Sequence, residues 1–254
     1  MEIKFKGTVA VLNDSHHPFQ DQRALREVEL FLGELQPELV IYAGDMSDFY
    51  QLSRFDKDPS RQDRLQEDLD SVARMFSRQR ALMPNARMIL TYGTHEDHLR
   101  RYLWTQAPAL SSLRALKLEQ LYGLDDSNIE TVAYEEGVLV NGMFLVLHGD
   151  MARAHASYTA KGMSDKHGGS GLHGHTHRLG SYYKRDHFGV YAWWEGGCLC
   201  SLHPHWIQNP NWQQGFSLVH FNQGRFWVEQ CQIINRKFVY GGKIWGSGGK
   251  KRVE

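Results

Sequence analysis

The feature that most restricts this chain is a set of five short clusters rich in histidine and aspartate, nearly all placed where a short apolar run stops. They are Asp14-Ser15-His16, Gly44-Asp45-Met46-Ser47-Asp48, Gly93-Thr94-His95-Glu96, His148-Gly149-Asp150 and Gly174-His175-Thr176-His177. The run before the first, Lys6 to Leu12, carries Thr8, Val9 and Val11 and reads as a strand. Leu39-Val40-Ile41-Tyr42 is continuously apolar, the mark of a strand buried on both faces, and Met88-Ile89-Leu90 opens a third. Helical segments lie between them. Asp21 can cap a helix in which Leu25, Val28, Phe31, Leu32 and Leu35 recur at helical spacing. Residues 62–82 place Leu65, Leu69, Val72, Met75 and Phe76 on one stripe, and Pro84 ends it. Three strand-helix units, each strand delivering acids or histidines at its end, predict an α/β fold with a site at the strand ends.

Residues 97–122 read as helical, with turns at Ala107-Pro108 and Tyr122-Gly123. From about Glu130 the chain reads mostly as strand. Asn141-Gly142, inside Val138 to Leu147, predicts a hairpin that runs into His148. Gly168-Gly169-Ser170-Gly171 then leads into His173 and the last cluster. Aromatic-rich strands are expected at Tyr182 to Lys184, Phe188 to Trp194, Phe216 to Phe221 and Phe226 to Ile234. No repeat or compositional break divides the chain. Residues 1–245 are therefore expected to form one domain, and the Gly- and Lys-rich residues 246–254 a loose tail.

Charge removes one class of function. The 254 residues hold 29 Lys plus Arg against 29 Asp plus Glu, a net charge of zero, which argues against a protein that coats nucleic acid through excess cation. An enzyme that handles one phosphate at a time is not excluded. No apolar run reaches the roughly 18–20 residues that cross a bilayer. The segment Met1 to Lys6 lacks a signal peptide's apolar stretch, so a cytoplasmic location without a membrane partner is expected. The three cysteines, an odd number, make no disulfide framework, and Cys198 and Cys200 are too close for a zinc knuckle. They are expected to be buried or half-buried free thiols. Fourteen histidines are the exceptional count, and the clusters say where they matter.

Aspartate and histidine gathered without cysteine suit Mn, Fe, Zn or Co rather than a thiolate site. Residues two apart at a strand end project from one side, so Asp14 with His16, and His175 with His177, can each converge. Neighbouring glycines allow the tight turns this requires. In order and spelling, the clusters resemble the motif set of the calcineurin-like metallophosphoesterases: Asp-x-His, Gly-Asp-x-x-Asp, Gly-Asn-His-Asp/Glu, a lone His and Gly-His-x-His. The resemblance spans residues 14–177 with one imperfect match, and the chain is also similar to the small stand-alone phosphoesterases of phage and bacterial genomes.

That resemblance implies a four-layer α-β-β-α sandwich, two mixed β-sheets flanked by helices, and a site holding two divalent ions, with Mn favoured. Asp14, His16 and His177 would hold the first ion, Asp45 would bridge both, and His148 and His175 would belong to the second. Thr94 stands where the family has Asn. A Thr hydroxyl is a shorter and poorer neutral ligand, so the second site is expected to bind weakly or through a water. A hydroxide between the metals would attack phosphorus, while His95 faces the leaving group and donates a proton. Asp48 matches the family's second Asp, which holds that histidine in its donating form.

Weaker candidates surround these. Arg54 and Arg153 could clamp phosphate oxygens. Asp97, His98, Arg100 and Arg101 extend the third cluster and read as a charged helix start. His155, His167 and His173 could line the rim, whereas His187, His203, His205 and His220 read as surface or packing residues. Trp193, Trp194, Trp206, Trp212 and Trp227 read as core of the later strands. The function expected is metal-dependent hydrolysis of phosphate esters, diesters ahead of monoesters, because an open site with a proton donor suits poor leaving groups. The alternatives are a phosphomonoesterase, a nuclease for which DNA or RNA is substrate only, and a binding protein whose site has decayed. His95 with Asp48 counts against the last, since a scaffold needs neither.

Overall fold

A computed structural model describes residues 1–54, 56–57, 64–204 and 207–246. The first two residues of the helix expected from 62, together with His205, Trp206 and the tail beyond Gly246, lie outside the described residues. The strands and helices run in the order β1 (Glu2–Ile3), β2 (Gly7–Leu12), α1 (Gln22–Leu35), β3 (Leu39–Tyr42), α2 (Leu65–Leu82), β4 (Arg87–Thr91), α3 (Thr94–Gln106), α4 (Leu118–Leu121), β5 (Ile129–Val132), β6 (Val138–Val140), β7 (Phe144–Leu147), α5 (Tyr158–His167), β8 (Ser170–His173), β9 (Leu179–Arg185), β10 (Val190–Gly196), β11 (Gly215–Asn222), β12 (Arg225–Gln232), β13 (Phe238–Tyr240) and β14 (Lys243–Trp245).

Alternation along the first strands explains the layering. Val9 and Val11, Leu39 and Ile41, and Ile89 enter one apolar cluster, while Ala10 and Leu12, Val40 and Tyr42, and Met88 and Leu90 enter another. A strand apolar on both faces needs a layer on each side. One face meets α1 and α2, which contribute Leu25, Val28, Phe31 and Leu32, and Leu69, Val72, Met75 and Phe76. The other meets Val138, Val140, Phe144, Val146, Leu172 and Trp194 of a second sheet. The first sheet has the order β12-β11-β2-β3-β4-β5 and the second β1-β6-β7-β8-β10-β9. Both are mixed: β2 to β5 run parallel with β11 antiparallel at their side, and β7, β8 and β10 run parallel between antiparallel neighbours. Helix α5 covers the outer face of the second sheet through Ala160 and Met163 against Trp193. The result is the expected four-layer sandwich.

Helix α3 stops at Gln106, at the Ala107-Pro108 turn that the sequence predicts, because Pro108 disfavours helix at the residue before it; single 3₁₀ turns and the short α4 follow. Two local expectations are corrected. Helix α5 lies where strand was expected, its pattern weakened by Gly162 in mid-helix. Trp193 and Trp194 are core, but Trp227 is 55% exposed and does not belong to it. The Asn141-Gly142 turn is as expected: both residues are left-handed (φ 57° and 68°), and β6 and β7 pair across it.

Candidate metal centre

Four of the five clusters begin within two residues of the ends of β2, β3, β4 and β7, and the fifth starts directly after His173, the last residue of β8. The loops they form are tied to one another. Asp14 N–H donates to Gly44 O (3.0 Å), His16 N–H to Asp45 O (3.0 Å), and Leu199 N–H to Asp14 O (3.1 Å). The backbone departs from the extended geometry expected for residues two apart. Asp14, His16, Asp45, His175 and His177 all have left-handed φ, between 48° and 68°. Such conformations are costly for residues other than glycine and gather at functional sites. Two neighbouring glycines make room more than they make turns. A Cβ on Gly93 would lie 2.1 Å from Asp45 Oδ1, and one on Gly174 2.5 Å from Asp14 Oδ2.

The side chains converge in overlapping groups. Asp14, His16 and His177 form one, Asp45, His148 and His175 another, and His16, Asp45 and His95 link them; within each, the ligand atoms lie within 4.8 Å of one another. His16 Nε2 and His177 Nε2 are 3.0 Å apart, with Asp14 Oδ1 3.7 and 3.2 Å from them. Asp45 Oδ2 lies 3.1 Å from His148 Nε2, 3.8 Å from His16 Nε2 and 3.9 Å from His95 Nε2. One carboxylate oxygen thus stands between the two groups.

Hydrogen bonds on the far ring nitrogens decide which atoms face inward. His148 Nδ1 meets Ala43 O at 2.7 Å; a carbonyl only accepts, so Nδ1 carries the hydrogen and Nε2 the lone pair. His148 Nε2 is buried and makes no hydrogen bond. His16 Nδ1 meets Asp48 Oδ1 at 3.2 Å, which turns its Nε2 inward in the same way. An orphaned buried imidazole nitrogen, and two imidazoles meeting nitrogen to nitrogen beside a carboxylate, form a donor set that fits divalent cations. The charges agree. Burial alone would raise the Asp14 and Asp45 pKa values, but the histidines around them, His177 for Asp14 and His148 for Asp45, hold both well below the usual range. Burial opposes protonation of His148, yet Asp45, 3.1 Å from its Nε2, raises it to about 9, so the lone pair of the neutral ring is shared with a proton that a cation there would displace. Burial, reinforced by His148, lowers His175 to about 4.

Thr94 is the first residue of α3, and its hydroxyl donates to Asp45 Oδ2 at 3.1 Å. His95 offers its backbone N–H to Asp45 Oδ1 at 2.8 Å and a half-buried ring to the site. The ring Nδ1 donates to the backbone carbonyl of Asp48, while the Asp48 carboxylate, 3.6 Å from that nitrogen, makes its hydrogen bond to His16. Asp48 therefore orients two imidazoles through two different groups.

Two supporting residues were not singled out from the sequence. The fully buried Glu96 carboxylate accepts from the N–H groups of Gly93 (2.8 Å), Asp45 (2.8 Å) and Met46 (2.7 Å) and from the Tyr122 hydroxyl (3.2 Å). Asn13 Nδ2 donates to Asp14 Oδ2 and to Gly197 O, both at 2.6 Å. Their signal was adjacency alone: each sits beside a candidate ligand in a cluster. Among the weaker candidates, Arg100 and Arg101 both pair with the buried Asp97. Arg54, Arg153, His155 and His167 are exposed, and His173 is fully buried rather than on a rim. Trp212 stands edge-on to His177 with ring centres 4.3 Å apart, a site contact rather than core.

The family model for calcineurin-like phosphoesterase matches residues 7–226. The chain is similar to the Gene 54 protein of Mycobacterium phage D29, 26% identical over 258 residues covering 93% of this chain and 98% of that protein. It is also similar to the Gene 54 protein of Mycobacterium phage L5, 23% identical over 251 residues with the same coverage, 93% and 98%. Among solved structures, the wild-type Vps29 of Entamoeba histolytica complexed with zinc is 14% identical, with a TM-score of 0.47 and coverage of 93% of this chain and 95% of that one. Among the described residues, no helix is long and apolar enough to cross a membrane.

Proposed function

The chain belongs to the calcineurin-like phosphoesterase family, and from that premise we propose that it hydrolyses phosphate esters, diesters ahead of monoesters, with two divalent ions. Asp14, His16 and His177 would hold one ion, His148 and His175 the other, with Asp45 shared and Thr94 beside the second; Mn²⁺ is the ion we favour. The observation that carries this reading is the position of Asp45 Oδ2 between the two groups of imidazoles. When bound, such an ion pair supplies an activated water at neutral pH and neutralises charge on the phosphoryl oxygens.

The chain's own residues do the rest. His16 and His148 present their lone pairs inward because Asp48 and Ala43 accept from their other nitrogens. His95 is the proton donor in this reading. The Asp48 carbonyl fixes a hydrogen on its Nδ1, which leaves Nε2 as the atom that gives and regains the mobile proton. Its side chain is 28% exposed, against 6% for His16, 0% for His148 and 10% for His177, so a substrate reaches it first. A donor at the open edge favours diesters, whose alkoxide leaving groups need that proton.

The test is turnover of a chromogenic phosphodiester and phosphomonoester side by side, with Mn²⁺ added stepwise to metal-stripped protein. Metal-dependent turnover favouring the diester is the expected outcome. Preference for the monoester would make the protein a phosphatase, and no turnover with metal bound would count against hydrolysis of either.

A further inference from the structure

Beside the first group of proposed ligands lie two thiols the reaction does not use. Cys198 and Cys200 are isolated bridge residues, paired with Gln214 and Gln20, and the chain bends at Leu199 between them. Leu199 enters the core, while both thiols gather beside His177. Cys200 Sγ lies 3.9 Å from His177 Nδ1, and Cys198 Sγ, Cys200 Sγ and a His177 ring nitrogen lie within 4.8 Å of one another. All three residues are buried, and Cys231, the third free thiol, takes no part.

We propose that Cys198, Cys200 and His177 Nδ1 form a separate site for a thiophilic divalent ion, Zn²⁺ or Cd²⁺, whose filling excludes the ion held by Asp14, His16 and His177 Nε2. The second half rests on the ligand reading given above. Two thiolates and an imidazole are a soft donor set, unlike the carboxylate and imidazole groups beside it. The balance is simple: the ion enters, two thiol protons leave, and the buried cluster stays neutral, so no unpaired charge is buried. Exclusion follows from the imidazole itself, because a neutral ring has one lone pair and one N–H. With Nδ1 on the soft ion, the hydrogen moves to Nε2, where Asp14 Oδ1 at 3.2 Å accepts it. Nε2 is then no longer a ligand, and His177 serves one site or the other.

The experiment titrates Cd²⁺ into reduced, metal-stripped, full-length protein and reads thiolate-to-cadmium charge-transfer absorbance with bound metal per chain. Wild type should show the band, Cys231→Ser should keep it, and Cys198→Ser/Cys200→Ser should lose it with an unchanged far-ultraviolet dichroism. Should the double variant fail to fold, Cys200→Ser alone is expected to lose at least half of the band. A wild type without the band overturns the site. Saturating Mn²⁺ should raise the Cd²⁺ midpoint at least tenfold, and an unmoved midpoint overturns the exclusion. Mn²⁺ binding is followed separately by paramagnetic resonance. If wild type binds no Mn²⁺, the ligand reading fails and the exclusion with it, while the band still decides the thiol site.

Discussion

At the scale of single residues, Asp45 concentrates the demands of the site. Its Oδ1 is held by the His95 N–H, and its Oδ2 faces three imidazoles and accepts from Thr94. The Thr94 hydroxyl would thus compete with a cation for the carboxylate proposed as shared, a sharper reason to expect a weak second site than its short reach. Replacing Thr94 with Asn should tighten Mn²⁺ binding roughly tenfold, the lower end of the effects seen when groups around metal ligands change. Calorimetric titration of stripped wild type and Thr94→Asn measures it, and equal affinities would refute the competition. His95→Ala should retain its metals but lose about 10²- to 10⁴-fold in diester turnover, the range of a general acid. Metal content and kcat measured on one preparation separate that outcome from a collapsed site. Glu96→Ala strands three buried N–H donors, so stability should fall on the order of 3 kcal/mol, about 1 kcal/mol for each. Urea unfolding of the metal-free protein gives the value.

At the scale of elements, the site is made where the loop after β3 touches the start of α3, and Gly93 is the contact point. Gly93→Ala would drive a methyl group into the Asp45 carboxylate, so Mn²⁺ binding should be lost and stability should drop by about 1–3 kcal/mol, the usual cost of overpacking. Wild-type affinity in that variant would show that the loop yields. The strand ends were legible in the sequence because each apolar run stops abruptly at a polar cluster, and a buried strand cannot end otherwise without stranding polar groups. Helix α5 was not legible: Ala160 and Met163 are its only buried apolar residues, too few to set a period. The fork at Asp48, carbonyl to His95 and carboxylate to His16, was also invisible, because a motif names a residue and not which of its acceptors is used. Glu96 belonged to a motif, but its partners are backbone donors that no spelling reveals.

At the scale of the whole molecule, the proposed ligands come from both sheets: Asp14 and Asp45 follow strands of one, His148, His175 and His177 strands of the other. Each of the two proposed ions would draw ligands from both sheets and so tie the two halves of the sandwich together. Mn²⁺ at a hundred times its dissociation constant should therefore stabilise the fold by about 2.7 kcal/mol. Thermal unfolding with and without chelator should show a shift of roughly 5–10 °C at that loading, given about 2–4 °C per kcal/mol for a chain of this size. The left-handed backbone at five proposed ligand positions has a different consequence. Alanine at His175 removes a ligand and leaves a side chain in a conformation it resists, whereas glycine removes the same ligand and relieves the loop. The glycine form should be more stable than the alanine form, both stripped of metal, by about 1 kcal/mol in urea unfolding. A lineage released from the need to turn over substrate would find glycine at these places the easy path, so inactive descendants of this fold should be recognised by sturdiness as much as by missing ligands.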